Sequence, residues 1–350
     1  TLFDGSVTVN LDYFVRKTND LLVQDQAAYT GWGSTVVQPY VNVGSLENKG
    51  IELNIAKRGT IVGDLKYDVS ANFTKYKNMA TKVLDNPNAT LAGGNTRLGN
   101  VNLTKAGYPI SYYYGYKIDG FFNSADEVAA YNATNKTWFV PKVGGWRIQD
   151  VSGPNGTPDN VINDYDKTYI GSPHPDFQMG VNLALTYKNF DFSTFIFWNQ
   201  GGQLFNFSRY NVDFMTFQYN RSARMLYDSW TPENHDAKLP ILDVNDTYSN
   251  KYVTDYFVED ASYVRLKTLQ LGYTLPASII NRLKVEKLRI YVQAQNLFTI
   301  TKFSGLDPAG SFTNGTNTSG VTATDDLSMG VVNNVTPTPK QVLFGINLSF

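Results

Sequence analysis

Apolar side chains recur at every second position along much of this chain, and that rhythm restricts what it can fold into more than any other feature. In the segment from Val7 to Val15, Val7, Val9, Leu11, Tyr13 and Val15 share one face, with Thr8, Asn10 and Asp12 opposite. A period of two is the signature of a strand whose two faces meet different surroundings. The pattern returns with Ile51, Leu53 and Ile55 against Glu52 and Asn54, and with Leu65, Tyr67, Val69, Ala71 and Phe73. Further along, Phe177, Met179, Val181, Leu183, Leu185 and Tyr187 line one side of a strand that turns at Lys188 and Asn189 into the next. Leu269, Leu271 and Tyr273 face away from Thr268 and Gln270, and Leu288, Ile290, Val292 and Ala294 alternate with Arg289, Tyr291, Gln293 and Gln295. Counting weaker stretches such as Ser111 to Phe122, this predicts about ten strands, each near the ~9 to 11 residues that cross a bilayer at a tilt.

No run reaches the roughly 18 apolar residues that a membrane-spanning helix needs, so only a closed sheet remains as a spanning structure. Charged residues make up 17% of the chain while Tyr and Phe number 23 and 21. An average soluble domain carries about 25% charge, and rings of this kind suit pleated surfaces and membrane interfaces. The same composition also fits a soluble, aromatic-rich, carbohydrate-binding β-sandwich, in which the apolar rows would face each other across a dry interior. The stretches 77–111, 123–175, 201–258 and 303–338 are polar and too long for ordinary hairpin loops. Short turns at one end and long loops at the other are the habit of outer-membrane barrels, so those four stretches are expected to be extracellular loops. Within them, Ala125 to Asn132 after Ser124 predicts a short capped helix, and the stretch 214–230, with Phe214, Phe217, Met225 and Tyr227, predicts another.

Chemistry is sparse. Cysteine is absent, which removes thiolate metal sites and thiol nucleophiles. No G-x-S-x-G elbow, P-loop, H-E-x-x-H or G-x-G-x-x-G motif occurs, and only two histidines exist, His174 and His235, both in loops. The chain is therefore read as a non-enzyme. A net charge of -1 with scattered Lys and Arg gives no footprint for nucleic acid. The final residues alternate again, and Phe344, Ile346, Leu348 and the terminal Phe350 resemble the signal read when barrels are inserted into the outer membrane. Because the chain opens at Thr1 without a signal-peptide pattern, it is expected to be processed or excerpted from something longer.

Several long segments resemble, in order, the SusC/RagA type of TonB-dependent outer-membrane transporter of Bacteroidetes. They are YYYGYKIDGFFNSADEV from Tyr112, DVSGPNGTPDNVINDYDKTYIGSPHPDF from Asp150, YKNFDFSTFIFWNQGG from Tyr187, SWTPENHDAKLP from Ser229, EDASYVRLKTLQLGYTLP from Glu259 and IYVQAQNLFTITKFSGLDP from Ile290. The resemblance implies an all-β fold in which residues 1–350 form the carboxyl-terminal part of one antiparallel transmembrane barrel of about 22 strands, with the plug domain outside this chain. It implies residence in the cell outer membrane and import of a glycan or oligopeptide. The implied partners are a SusD-like surface lipoprotein, outer-membrane lipid and the TonB–ExbB–ExbD complex. No cofactor is required, but family members often carry a calcium loop near Asp150, and here Asp150, Asp159, Asp166 and the carbonyl of Val161 are the candidate ligands, although an insertion and the Asp in place of a final Glu depart from that pattern. Trp198, Asn199, Gln200, Arg209, Tyr210 and Arg221 are the candidate substrate contacts, since they combine rings and hydrogen-bonding groups beside a long loop. A passive porin or structural barrel is the alternative within the membrane class.

Overall fold

The computed structural model of the protein describes residues 5–24, 40–215, 220–246, 249–283, 285–310, 326–333 and 335–350. The chain begins with three long strands, β1 (Val7–Gln24), β2 (Tyr40–Val62) and β3 (Leu65–Lys82). A first excursion follows, holding β4 (Thr90–Thr96), β5 (Gly99–Lys105), β6 (Tyr112–Gly115), β7 (Ile118–Phe121), α1 (Ala125–Thr134), β8 (Lys136–Thr137), β9 (Trp146–Ile148), β10 (Val161–Ile162) and β11 (Thr168–Gly171). The hairpin of β12 (Phe177–Tyr187) and β13 (Phe190–Gln200) precedes a second excursion with β14 (Gln203–Asn206), α2 (Ser208–Val212), α3 (Arg224–Tyr227) and β15 (Val258–Asp260). Then come β16 (Tyr263–Thr274), α4 (Ala277–Leu283), β17 (Lys287–Gln295), β18 (Thr299–Thr301), β19 (Val331–Val332) and β20 (Gln341–Ser349).

One antiparallel sheet in the order β1-β2-β3-β12-β13-β16-β17-β20 makes a wall, with β18 extending the pairing along β16. Its hairpins close tightly at one end: Val62 pairs Leu65 around Gly63, and Tyr187 pairs Phe190 around Lys188, the turn expected from the sequence. Gly63 and Lys188 both take positive φ, 54° and 51°, as such two-residue connections demand. The three excursions, 83–176, 201–262 and 296–340, all leave from the opposite end.

Five wall strands, β12, β13, β16, β17 and β20, run 9 to 12 residues, in line with expectation. The first three are much longer, at 18, 23 and 18 residues. Eighteen residues extend roughly 60 Å, about twice the hydrocarbon thickness of a bilayer. The extra length has a partner. Where β2 and β3 overshoot, Leu46 and Ala80 pack with Val83, Leu91, Ile110 and Leu327 of the excursions.

The alternating apolar rows do not oppose one another. Leu11, Ile55, Leu271, Ile290, Phe344 and Ile346 are all exposed, Phe344 by 84%. A sandwich would bury these rows between its sheets, so that reading is excluded.

The densest core lies elsewhere, inside the excursions. Tyr113, Tyr116, Phe122, Trp146, Phe205 and Phe257 are among its fully buried members. What reads in sequence as four long loops is a folded cap woven from three segments. Its small sheets cross between excursions, as where Phe205 of β14 pairs in parallel with Val331 of β19. Helix α1 starts where expected, with Ser124 Oγ accepting from the Glu127 N–H at 3.1 Å. The second expected helix is reduced to α3; Arg221 donates to the carbonyls of Phe214 and Asn211, groups that a continuous helix would use internally, and Phe217 lies outside the described residues. Ser111 to Phe122 is not one strand but two, because the Tyr116 N–H turns to the Val253 carbonyl at 2.9 Å.

Candidate functional site: a polar inner face beneath a woven cap

The face of the wall opposite the exposed apolar rows is polar. Asn10, Asn54 and Asn72 stand in register on β1, β2 and β3, and Asp12 lies beside Glu52. The position next to Asn72 on β12 is Gly180. A Cβ there would crowd the Asn72 amide and come within 2.9 Å of the Phe195 ring, so the glycine lets both lie flat. The same device recurs near the tight hairpins. Arg289 of β17 donates through Nε to Asp191 Oδ1 of β13 at 2.8 Å, bridging over Gly272 of the intervening β16. Tyr291 likewise lies over Gly345.

At the other end, side chains tie wall to cap. Asn78 of β3 accepts from the Ile110 N–H at 2.9 Å and donates to Asn48 at 2.9 Å. His174 Nε2 sits 3.1 Å from the Ile110 carbonyl, and burial pushes its pKa down. Its edge meets the Tyr76 ring. Arg265 of β16 is ion-paired with Asp307 at 2.5 Å and donates to Thr299 at 2.8 Å, while Asp307 accepts from the Thr338 N–H and hydroxyl. At the cap's centre, the hydroxyl of fully buried Tyr113 lies 2.9 Å from the Gln203 carbonyl and 3.0 Å from that of Gly330, so one phenol joins all three excursions. Gly330 has φ 73° and a Cβ there would collide with that hydroxyl, two independent demands for glycine.

The candidate substrate contacts do not form one cluster. Strand alternation separates Trp198 from Asn199. Trp198 pairs with Met179 in the outward apolar row, its ring edge against Phe177 at 5.0 Å and its Nε1 donating to Gln200 at 3.1 Å. Asn199 is on the inner face, accepting from Gln178 at 3.0 Å. Arg209 belongs to a buried charge network: it pairs with Glu259 at 3.0 Å, donates to the Tyr256 carbonyl at 2.8 Å and stacks over the Tyr256 ring. Asp213, itself buried, accepts from Tyr256 at 2.7 Å and pairs with Arg224 at 3.0 Å. Tyr210 is buried against Phe207 with rings 5.0 Å apart and nearly parallel. Arg221 braces loop carbonyls. Of the six, Arg209 borders a cavity of about 380 Å³ that also meets Arg224, Lys238, Asp228, Asp255 and Trp146. Burial raises the Asp255 pKa there, against the Ile118 N–H it accepts.

The candidate calcium ligands are turned toward the backbone. Asp166 is fully buried and accepts from the N–H groups of Val151, Ser152 and Asn163 at 2.8 to 3.2 Å. Asp150 accepts from Asn160 N–H, Asp159 from Val161 N–H, and the Val161 carbonyl accepts from Asn163. Asp150 Oδ1 is buried without a hydrogen-bond partner, and the pKa of Asp150 is raised by burial and by Asp166, against the Asn160 bond. Among the described residues no three His, Cys, Asp or Glu side chains converge as a metal group requires. The residues as placed do not fit the ion.

Phe344, Ile346 and Leu348 form the outward row of β20, paired to Val292, Ile290 and Leu288 of β17, and Phe350 is exposed beyond the strand. The sequence reading missed the buried ion pairs and the Tyr113 junction, since both join residues far apart in the chain and have no periodic signature.

No family model matches the chain. It is similar over its full length to TonB-dependent receptor P3 of Formosa agariphila, at 31% identity over 352 residues that span 33% of that protein. It is also similar to TonB-dependent receptor SusC of Bacteroides thetaiotaomicron, at 28% identity across 99% of this chain and 30% of SusC. Among solved structures, the RagAB peptide importer in its open-open state matches with a TM-score of 0.73 and 25% identity, across 99% of this chain and 33% of the matched chain. The chain thus spans about one third of the length of the relatives it matches.

Proposed function

We propose, on the premise that this chain is a relative of the SusC- and RagA-type TonB-dependent receptors along its whole length, that it is the carboxyl-terminal wall and mouth of an outer-membrane importer. The observation that carries this is the division of one sheet into an exposed apolar face and a polar face whose asparagines stand in register. Lipid is the surrounding that rewards the first, and water with cargo the second. The cargo is a large nutrient, a glycan or an oligopeptide. A SusD-like lipoprotein closes over the cap. The TonB–ExbB–ExbD complex supplies force through a segment outside this chain and displaces a plug that other residues provide. No enzymatic activity is proposed.

The test uses the full-length protein in its native cell. Radiolabelled oligosaccharides and oligopeptides are offered to cells with and without the gene, before and after a protonophore collapses the energy supply. Uptake that needs both the gene and the energised state is expected. Gene-dependent uptake that persists in de-energised cells favours the passive porin, and a protein found only in the soluble fraction ends the membrane reading.

A further inference from the structure

Residues 326–333 of the third excursion lie between the other two and bond to both. Toward the first excursion, the Gly94 N–H donates to Ser328 Oγ at 2.8 Å and the Met329 N–H donates to Ser111 Oγ at 2.8 Å. The Met329 carbonyl accepts from the Asn102 amide at 3.0 Å. Toward the second, the Gly330 and Val332 carbonyls accept from the Phe205 and Phe207 N–H groups at 2.9 Å, beside the parallel pairing of β14 with β19. The regular structure of the segment itself is one turn of 3-10 helix, Asp326–Ser328, and the two residues of β19. Most of its order is therefore borrowed from its neighbours.

The seat is shaped for it. A Cβ on Gly93 of β4 would collide with the Leu327 carbonyl, and one on Gly94 would come within 3.1 Å of Val331 Cγ2. Gly330 meets the Tyr113 hydroxyl with no room for a side chain. A half-filled seat is unfavourable. Asn102, Ser111 and Tyr113 are 1% exposed or less, and each exchanges a hydrogen bond with the segment. A buried polar group stripped of a partner carries its desolvation cost uncompensated. Withdrawing part of the segment strands such groups in the dry interior, whereas full release lets water reach them.

We infer that residues 326–333 are a strap that seats and releases as one unit, and that its seating clamps the first excursion to the second. Both ends of the strap lead back to the wall, at β18 and β20, so the released segment stays within reach of its seat. The two excursions also touch directly: the Gln203 N–H donates to the Ser172 carbonyl at 3.0 Å and the Tyr116 N–H to the Val253 carbonyl at 2.9 Å. These seam bonds do not involve the strap, and they report whether it clamps. Seated, the strap makes the cap one body; released, it leaves two bodies joined by the seam alone. Every group in the clamp belongs to this chain, and the inference stands apart from the import reading.

Amide hydrogen exchange on the full-length protein, resolved to single residues, provides the test. In Gly330→Val, the amides of Gly94, Met329 and Phe205 and the seam amides of Tyr116 and Gln203 should all exchange faster by about tenfold or more, with Val181 and Leu183 of β12 unchanged. Ser328→Ala removes one bond from the same seat and should quicken the same amides to a smaller degree. Should Gly330→Val fail to fold, the wild type decides through exchange at rising urea below the unfolding transition. There the strap and seam amides are expected to share one opening free energy and one urea dependence, below those of the β12 amides. The inference is overturned if the strap amides open while the seam stays protected, if Met329 opens apart from Gly94 and Phe205, or if strap and seam open only together with the wall.

Discussion

Arg265 and Asp307 form an ion pair of 2.5 Å in which the residues are only 3% and 4% exposed, one on wall strand β16 and the other in the excursion between β18 and β20. The guanidinium also reaches Thr299 and Thr338, and Asp307 accepts from the Ala309 N–H at 2.9 Å. Nearly every donor and acceptor of the pair is thus spent inside the protein. Removing one partner strands a charge, at a typical cost of about 3–5 kcal/mol. Asp307→Ala should therefore loosen residues 303–310 and 335–340, read as a lower melting temperature and new protease cleavage there. Unchanged melting and cleavage would mean that the segment is held by other contacts.

The same pair makes the cap acid-sensitive. Burial alone would raise the Asp307 pKa, but the bonds from Arg265, Thr338 and Ala309 outweigh it and bring it down to about 2 from an ordinary 3.8. A carboxylate with a depressed folded pKa stabilises above its unfolded value and loses that contribution as pH falls through the window toward the folded one. Protease protection of residues 303–310 and 335–340 should decline between about pH 4 and pH 2 in the wild type. In Asp307→Asn the protection should be lower at neutral pH and its decline across that window shallower. Parallel pH curves for the two proteins would contradict this.

Gly272 separates Asp191 from Arg289, and a Cβ there would fall within hard contact of both side chains. Gly272→Ala must push the pair apart or bend the strand, and overpacking of this kind costs about 1–3 kcal/mol. Urea unfolding in detergent micelles should show that loss, with Gly63→Ala as a control where only turn geometry is disturbed and no atom lies within 4 Å. A Gly272→Ala midpoint equal to the wild type would show that the wall gives way freely.

Trp198 is 38% exposed in the outward row. Its fluorescence in bilayers should be quenched by brominated acyl chains, and Trp198→Phe should remove that component of the quenching. Binding of cargo should be unchanged in the variant. If the quenching survives, the face assigned to lipid is wrong.

Three carboxylate bonds to backbone N–H groups hold Asp166. Millimolar calcium is expected to leave the melting temperature unchanged after treatment with a chelator. Asp166→Ala should cost about 1–3 kcal/mol for each N–H left buried without an acceptor. A calcium-dependent rise in melting temperature that is lost in Asp150→Asn would restore the ion to the site.

The wall was legible in sequence because alternation is a local signal, and its strands declare their two faces within a few residues, although the added length of β1, β2 and β3 did not show. Lys188 and Asn189 marked their turn for the same reason. The cap was not legible. Tyr113 meets Gln203 and Gly330 across separations of 90 and 217 residues, and no window along the chain holds that information. Length marked the long stretches as more than hairpin loops, but their polar average hid the buried Trp146 and Phe257. Among the candidate contacts, proximity in sequence misled: Trp198 and Asn199 are neighbours along the strand and lie on opposite sides of it.

The strong core lies in the cap, while the sheet beneath it has few fully buried side chains, so the molecule is built from two materials with different solvents. Chaotropes should dissolve one by wetting its oily interior, and on the import reading detergents should disturb the other by replacing the lipid at its apolar face. The cap can therefore be repacked residue by residue while the strands below keep their simple alternating code.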